Sequence, residues 1–319
     1  MPVTDLIKAQ VGQESSWGTC VVATAKLMGV TEANLQIVDE VHQTEKSGSY
    51  YPSDLVAEVS QMGKGSISMD LSYEDILYPL DNFFDEESPT GTTTYTWAYD
   101  APSDTTVTPN YLSIEFGAPS AEYEACGVLF TELNISGEAG GIWVGEFPFV
   151  CSSVAAGAMA SLSDRAVELI RMADTEIYID TWSGTIGSTK LDDALVSFEL
   201  SVNPQRHVKQ FAGEISPQSW GDGQWTGTLT TVLEFVAGTK AYVDALLGPA
   251  LVQRMIRIAA TSAPRSATID FYGTLVNGAE LFEDRDGNIT VSLEWQGTYN
   301  DTDSAWLGFS IVNLVASLT

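Results

Sequence analysis

Basic residues are scarce in this sequence. Its 319 residues include 14 Lys and Arg against 43 Asp and Glu, which gives a formal net charge of -29 at pH 7. A molecule this acidic repels phosphate groups and anionic lipids. The composition therefore excludes a DNA-binding or membrane-surface protein of the usual basic kind.

Long hydrophobic runs are also missing. No run approaches the ~18 consecutive apolar residues that a membrane-spanning helix needs, and the N-terminal region, with Asp5, Lys8 and Glu14, lacks the apolar core of a signal peptide. We therefore expect a protein that begins at or near Met1, is made in a cytoplasm and does not insert into a membrane. The hydrophobic content of 44% is that of a globular protein and excludes a disordered chain.

The residues that usually carry catalysis are few. Cys20, Cys126 and Cys151 are too sparse for a disulfide scaffold and lack zinc-site spacing, so we expect them to be reduced packing residues. His42 and His207 have no suggestive neighbours. The sequence predicts no enzyme, no cofactor and no metal site.

The strongest pattern is a similarity between the two halves of the chain. Lys64–Leu71 aligns with Thr226–Leu233, because in each a glycine precedes alternating apolar and small polar residues. Gly127–Val144 likewise matches Gly273–Val291, and each of these segments predicts a hairpin. The chain is therefore expected to contain two copies of one β-rich unit.

Each copy is also expected to contain one short helix. The predicted helices are Tyr73–Leu77, ended by Pro79, and Tyr242–Leu246, ended by Gly248 and Pro249. The acidic turn at 283–288 resembles the start of a calcium-binding loop, but its glycine comes too early and the last ligand is missing. It predicts a hairpin turn.

These patterns predict an all-β fold with short helices. We expect two tandem β-sandwich domains, residues 1–155 and 176–319, joined by a linker at 156–175 that starts in a run of small residues.

Small hydroxyls and carboxylates alternate with apolar residues along several predicted strands, so each strand has a polar face. Such a face lies either on the solvated outside of the protein or on the inner wall of a ring or tube, where it lets an anionic polymer slide. The polar positions are Ser66, Ser68, Asp70, Ser197, Glu199, Ser201, Thr228, Thr230, Glu234, Thr290, Ser292 and Glu294.

The segment Gly12–Thr19, which reads G-Q-E-S-S-W-G-T, resembles the N-terminal signature of the major tail tube proteins of long-tailed bacteriophages. Further similarities are the strand at Gly65 with its helix, and Tyr95–Tyr99 ahead of Leu112–Gly117. The resemblance spans almost the whole chain and is that of the duplicated-domain type.

The resemblance implies a structural virion protein whose inner sheets close into a β-barrel around a lumen through which DNA passes into the host. It implies trimeric, pseudo-sixfold rings that stack into a tube, with tape-measure and tail terminator or tip proteins as further partners. Gln43–Gly63 and Gln205–Gly223 are then long loops or extended hairpins that contact the next subunit or ring. The lumen-facing candidates are Ser66, Ser68, Asp70, Thr228, Thr230, Glu234, Thr290, Ser292 and Glu294.

Three alternatives stay open at this stage. The protein is the inner tube of a contractile tail or of a secretion-like device, which would share the ring, or it is a carbohydrate-binding β-sandwich, as its 8 Trp and 12 Tyr suggest. The Trp residues do not cluster along the sequence. The acidity has two explanations, a repulsive lumen or a saline environment.

Overall fold

The computed structural model describes residues 7–45, 48, 50–52, 54–85, 87–118, 121–246, 251–276, 280–285 and 287–318, with the backbone alone for Ala237, Leu246 and 280–285. Strands account for 55% of the structure and helices for 6%. The predicted all-β class is therefore confirmed.

The elements of the first half of the chain are β1 (Lys8–Glu14), β2 (Ala25–Lys26), β3 (Val30–Gln43), β4 (Val56–Asp70), α1 (Leu77–Phe83), β5 (Thr90–Gly91), β6 (Tyr95–Asp100), β7 (Tyr111–Ala118), β8 (Ala121–Phe130), β9 (Leu133–Glu138), β10 (Trp143–Cys151) and β11 (Ser153–Ala156). Those of the second half are β12 (Thr175–Thr181), β13 (Lys190–Leu191), β14 (Leu195–Asn203), β15 (His207–Lys209), β16 (Ser219–Gly221), β17 (Thr226–Glu234), α2 (Ala237–Leu246), β18 (Gln253–Ser262), β19 (Arg265–Leu275), β20 (Glu280–Arg285), β21 (Asn288–Gly297) and β22 (Leu307–Asn313).

Eight strands form one continuous antiparallel sheet, which we call the long sheet. Its order is β3-β4-β10-β9-β14-β17-β21-β20. One face of it is covered by two further antiparallel layers, β2-β1-β7-β8-β11 and β13-β12-β18-β19-β22-β6. Short pairings of β8 with β10 and of β19 with β21 join these layers to the long sheet.

The apolar core lies between the long sheet and the two cover sheets. Phe149 of β10 stacks on Phe116 of β7 with ring centroids 5.8 Å apart. Trp143 and Trp295 of the long sheet and Phe271 of β19 are fully buried in the same core. The molecule is thus a β-sandwich whose long sheet has one apolar face and one free face.

The two halves of the chain use the same order of pairings. In the first half the long sheet contains β3-β4-β10-β9, and in the second half it contains β14-β17-β21-β20. The cover strands β1-β7-β8-β11 likewise correspond to β12-β18-β19-β22. The only direct pairing of the halves within the long sheet is that of β9 with β14 among the described residues.

The segment expected to be a linker is fastened to both halves. Ile170 N–H donates to the Leu71 carbonyl, and Trp143 N–H donates to the Ile170 carbonyl. Arg265 of the second half forms ion pairs with Glu74 at 2.6 Å and with Glu168 at 2.7 Å. The division into domains 1–155 and 176–319 stays a prediction, and residues 156–175 are an ordered strap between the halves.

The first predicted helix is misplaced. It was expected at Tyr73–Leu77 with Pro79 as its end, whereas α1 spans Leu77–Phe83 and contains Pro79. Proline is tolerated there because the backbone N–H groups of a first helical turn have no partner within the helix. The second prediction, Tyr242–Leu246, lies inside α2, while Gly248 and Pro249 lie outside the described residues.

The prediction for the cysteines is wrong for two of the three. Cys20 and Cys126 form a disulfide although 106 residues separate them in sequence. Sequence spacing could not show this, because the fold of the N-terminal turn brings Cys20 onto β8. Cys151 is a buried free thiol, and burial raises its pKa to about 12.

The two segments without a clean strand pattern are hairpins. The described residues of Gln43–Gly63 include the end of β3 and the first part of β4, which pair as an extended hairpin with strands of 14 and 15 residues. Gln205–Gly223 contains the small hairpin of β15 and β16. The hairpins predicted within 127–144 and 273–291 are confirmed as β9-β10 and β20-β21.

Candidate functional site

The free face of the long sheet carries many polar side chains. Side chains of a strand alternate between two faces, and in β10 Trp143, Gly145 and Phe147 are buried while Val144 and Glu146 are exposed. The same alternation holds along β9 and β17. We call this surface the polar face. Its polar members are Glu32, Lys64, Ser66, Ser68, Asp70, Asn134, Ser136, Glu138, Glu146, Ser197, Glu199, Ser201, Thr228, Thr230, Glu234, Ser292, Glu294 and Gln296, and the apolar Val144, Pro148, Val150 and Val232 lie among them.

Eight of the nine residues predicted to face a lumen are on the polar face. They are half-buried, three on β4, three on β17 and two on β21: Ser66, Ser68, Asp70, Thr228, Thr230, Glu234, Ser292 and Glu294. The ninth, Thr290, is buried with 3% of its surface exposed. The structure thus brings strands from both halves of the chain to one surface, and whether that surface lines a lumen stays a prediction.

Strand register arranges the polar face as repeated rows of acid, hydroxyl and acid. In the first half Glu32 lies opposite Ser68, which lies opposite Glu146. In the second half Glu199 lies opposite Thr230, which lies opposite Glu294. Sequence reasoning missed Glu32 and Glu146, because only the pairing of distant strands places them beside the serine.

The two halves meet on the polar face at the seam between β9 and β14. Ser136 lies opposite Glu199, and Asn134 lies opposite Ser201. A hollow of about 470 Å³ lies over this seam and is lined by polar side chains such as Ser136, Glu138 and Thr230 and by apolar ones such as Val144 and Val232. Carboxylates and hydroxyls therefore continue from β9 onto β14, with the apolar side chains of Val144 and Val232 beside them.

The long sheet has two open edges among the described residues. β3 pairs with β4 alone, and β20 pairs with β21 alone. An edge strand presents a row of unpaired N–H and C=O groups and is a template for pairing with another chain. The sheet that carries the polar face can therefore be extended on both sides.

The N-terminal motif acts as a clamp on β8. The buried Glu14 carboxylate accepts hydrogen bonds from Ser113 Oγ at 2.6 Å, Gly127 N–H at 2.7 Å and Gly18 N–H at 2.8 Å. Trp17 Nε1–H donates to the Gly127 carbonyl at 2.8 Å. Burial raises the pKa of Glu14, and these hydrogen bonds oppose the rise. The motif therefore has a structural task in this chain.

Gly127 is required by this clamp. Its φ is +65°, a conformation that other residues rarely adopt. A Cβ at this position would lie 2.9 Å from both the Gly18 nitrogen and Trp17 Nε1. The close approach of the two backbones thus explains why a glycine stands here.

Three tryptophans that are scattered in sequence line one cleft of about 760 Å³, namely Trp220, Trp225 and Trp306. The rings of Trp220 and Trp225 contact other side chains. Trp225 packs against Phe83 with centroids 5.2 Å apart, and Trp220 lies 5.1 Å from the Arg206 guanidinium. Intramolecular contacts therefore hold the rings of Trp220 and Trp225 in this cleft.

The described residues thus form a β-sandwich whose long sheet carries a largely polar free face between two edge strands, β3 and β20. A model of the phage tail tube protein family matches residues 5–297. The chain belongs to this family, so it is a structural tail protein and a component of the virion. No curated protein matches it. The helices in the described ranges are too short or too polar to cross a membrane.

Proposed function

We propose that three copies of this chain close into a ring, and that stacked rings form the tube of a long, non-contractile phage tail through which DNA is ejected. The protein acts without catalysis and assembles in the host cytoplasm. The observation that carries the proposal is the long sheet, whose polar face is shared by both halves and whose edge strands β3 and β20 each have one partner strand among the described residues. A closed ring repeats the same interface between neighbouring units, and a chain of two similar halves supplies two such units per copy.

The seam within the chain supports a specific way of closing the ring. β9 is the last long-sheet strand of the first half and pairs with β14, the first of the second half. β20 and β3 occupy the corresponding positions at the two edges. β20 of one copy therefore pairs with β3 of the next, as β9 pairs with β14.

The size of the resulting barrel fits a DNA conduit. Three copies of eight strands give 24 strands, and a strand spacing of ~4.8 Å gives a circumference of ~115 Å and a backbone diameter of ~37 Å before tilt widens it. Side chains still leave a lumen wider than a DNA duplex. Ring closure also pairs both open edges, which an isolated chain leaves exposed.

The β3-β4 hairpin supplies a contact for the neighbouring copy or ring. Its two strands expose large apolar side chains in the single chain. Among them are Ile37, Val41, Val56 and Val59, with 47–56% of their surface exposed. Clusters of this kind mark protein interaction sites. Docking of this hairpin stacks the rings.

Negative-stain electron microscopy of the purified protein, over a range of concentration and salt, tests the proposal. We expect stacked rings or hollow tubes, since salt screens the repulsion between chains of net charge -29. Averaged end views should show three subunits, each with two lobes. Single chains at every concentration and salt would count against the tube, and saturable glycan binding by such chains would favour a binding module.

The lumen assignment has its own test in a charge reversal. Glu146→Lys with Glu199→Lys places two lysines per chain on exposed positions of the polar face. We expect these tubes to retain double-stranded DNA at low salt and to release it as salt rises, because lysine–phosphate contacts release counterions. Filter binding and microscopy would measure the retention.

The matched control reverses two exposed loop carboxylates away from the polar face, Asp104→Lys with Asp301→Lys. It changes the net charge equally and is expected to leave the DNA inside the tube unbound. If both variants retained DNA equally, the polar face would not be the surface that lines the lumen.

A further inference from the structure

Cys20, Glu124 and Cys126 converge on one spot at the surface of β8. Their ligand atoms, the two sulfurs and a carboxylate oxygen, all lie within 4.8 Å of one another. Cys20 is exposed, Glu124 half-buried and Cys126 buried. The cluster is therefore buried at Cys126 and open to solvent at Cys20.

We propose that in the reduced protein these three residues form a zinc site, with water as the fourth ligand. The disulfide is the oxidised state of the same site. Thiolates with one carboxylate suit Zn²⁺ better than Mg²⁺ or Ca²⁺, and three protein ligands with an open position are a common zinc arrangement.

The spacing of the ligands fits a tetrahedral metal. With Zn–S bonds of about 2.3 Å, two sulfurs bound to one zinc lie about 3.8 Å apart. The sulfurs must therefore separate by a small movement of the exposed Cys20 side. The Cα atoms of the two cysteines are 5.1 Å apart, so this movement stays within reach of their side chains.

The scaffold of the site does not depend on the disulfide. Glu14 holds both Gly18 and Gly127 through their N–H groups, and Trp17 donates to the Gly127 carbonyl. These residues flank Cys20 and Cys126 in sequence. When the disulfide opens, the clamp still keeps the two thiols near each other, which is the preorganisation that metal binding needs.

β11 fixes the other two ligands. In its pairing with β8, Ser153 lies opposite Cys126 and Ala155 opposite Glu124. Glu124 and Cys126 are two residues apart on one strand and so share a face.

Reduction of the disulfide and binding of zinc can be written as two balanced steps. Two molecules of a small thiol such as glutathione reduce the disulfide to two cysteine thiols and become one oxidised disulfide. Zn²⁺ then binds with release of the two thiol protons. A reducing cytoplasm favours this state, and an oxidising medium outside the cell favours the disulfide.

Cobalt is the probe for the site, used anaerobically on the full chain reduced with a phosphine. We expect one Co²⁺ per chain with a thiolate charge-transfer band, displaced by one equivalent of Zn²⁺. The oxidised protein should show no band. Zinc should also raise the melting temperature of the reduced protein but not of the oxidised one.

Three variants decide the ligand set. Glu124→Gln keeps both thiols and is expected to weaken metal binding about tenfold or more, whereas Cys20→Ser should abolish the band. Cys151→Ser, which changes the buried third thiol, is the matched control and should leave the band intact. Disulfide formation by oxidised Glu124→Gln confirms that this variant folds.

Two outcomes would overturn the proposal. One is a reduced wild-type protein without the thiolate band. The other is a Glu124→Gln variant that binds cobalt as tightly as wild type, which would reduce the site to an adventitious dithiol. Neither outcome bears on the tube, because the site lies away from the polar face.

Discussion

Replacement of Arg206 by methionine is expected to lower the free energy of unfolding by about 3–5 kcal/mol. Arg206 follows β14, and its side chain is fully buried against the first half of the chain. All five of its N–H donors are used. They bind the Asp222 carboxylate twice and the carbonyls of Asn82, Phe83 and Phe130.

The expected loss of stability arises because methionine cannot pair with the polar groups that Arg206 contacts. Asp222 keeps a carboxylate whose side chain is only 14% exposed, and it loses its counter-charge. The Asn82 and Phe83 carbonyls end α1, where a cation also stabilises the helix dipole. Because methionine retains the apolar stem of the side chain, the loss reports these polar contacts.

Arg171→Met is the matched control for this prediction. Arg171 pairs with Asp174 at 2.7 Å, but 58% of its side chain is exposed, so we expect a loss below about 1 kcal/mol. Urea unfolding of the two variants measures the difference. Adding Asp222→Asn to Arg206→Met should recover part of the loss, since it removes the unpaired charge. Losses within 1 kcal/mol of each other would show that Arg206 does not anchor the halves.

Local periodicity was enough to predict the all-β class, both hairpins and the polar alternation along β4, β17 and β21. Each of these depends on residues two positions apart or on a turn, as at Gly287, whose φ of +87° lies at the β20-β21 connection. Helix placement was harder. Pro79 indicates an end of a helix by propensity, yet it is also compatible with a first turn.

Features that depend on distant pairings could not be predicted. Thr290 has the alternation of a polar-face residue but is buried, and Glu146 belongs to the polar face only because β10 pairs with β4. The same holds for the disulfide and for Arg206, whose partners lie up to 124 residues away. Sequence patterns report the faces of a strand, and tertiary structure decides what each face meets.

The register of the β9–β14 pairing within the chain predicts which residues of β20 and β3 lie opposite each other between two copies. Ser136 pairs with Val144, which pairs with Asp70, five residues after Gly65. Glu280 pairs with Ser292, which pairs with Val232, five residues after Gly227. With Gly65 aligned to Gly227, Glu280 corresponds to Ser136.

The partner strand follows by the same rule. Glu32 pairs with Ser68, three residues after Gly65, and Glu199 pairs with Thr230, three residues after Gly227. Glu32 therefore corresponds to Glu199. Since Glu199 lies opposite Ser136 within the chain, Glu32 of one copy should lie opposite Glu280 of the next.

A chain with Glu32→Cys and Glu280→Cys is therefore expected to form covalent trimers when assembled tubes are oxidised. Directly paired residues of antiparallel strands have Cα atoms about 4.5–5.5 Å apart, within the range that a disulfide spans. Non-reducing denaturing electrophoresis should show a ladder of bands for one, two and three chains and nothing larger, and a reductant should return all of the protein to the single-chain band.

Each single replacement should give no ladder, and the out-of-register pair Asn34→Cys with Glu280→Cys should crosslink far less. A ladder that reached six chains would replace the trimer by a hexamer, and tubes without any ladder would show that the ring does not close through β3 and β20.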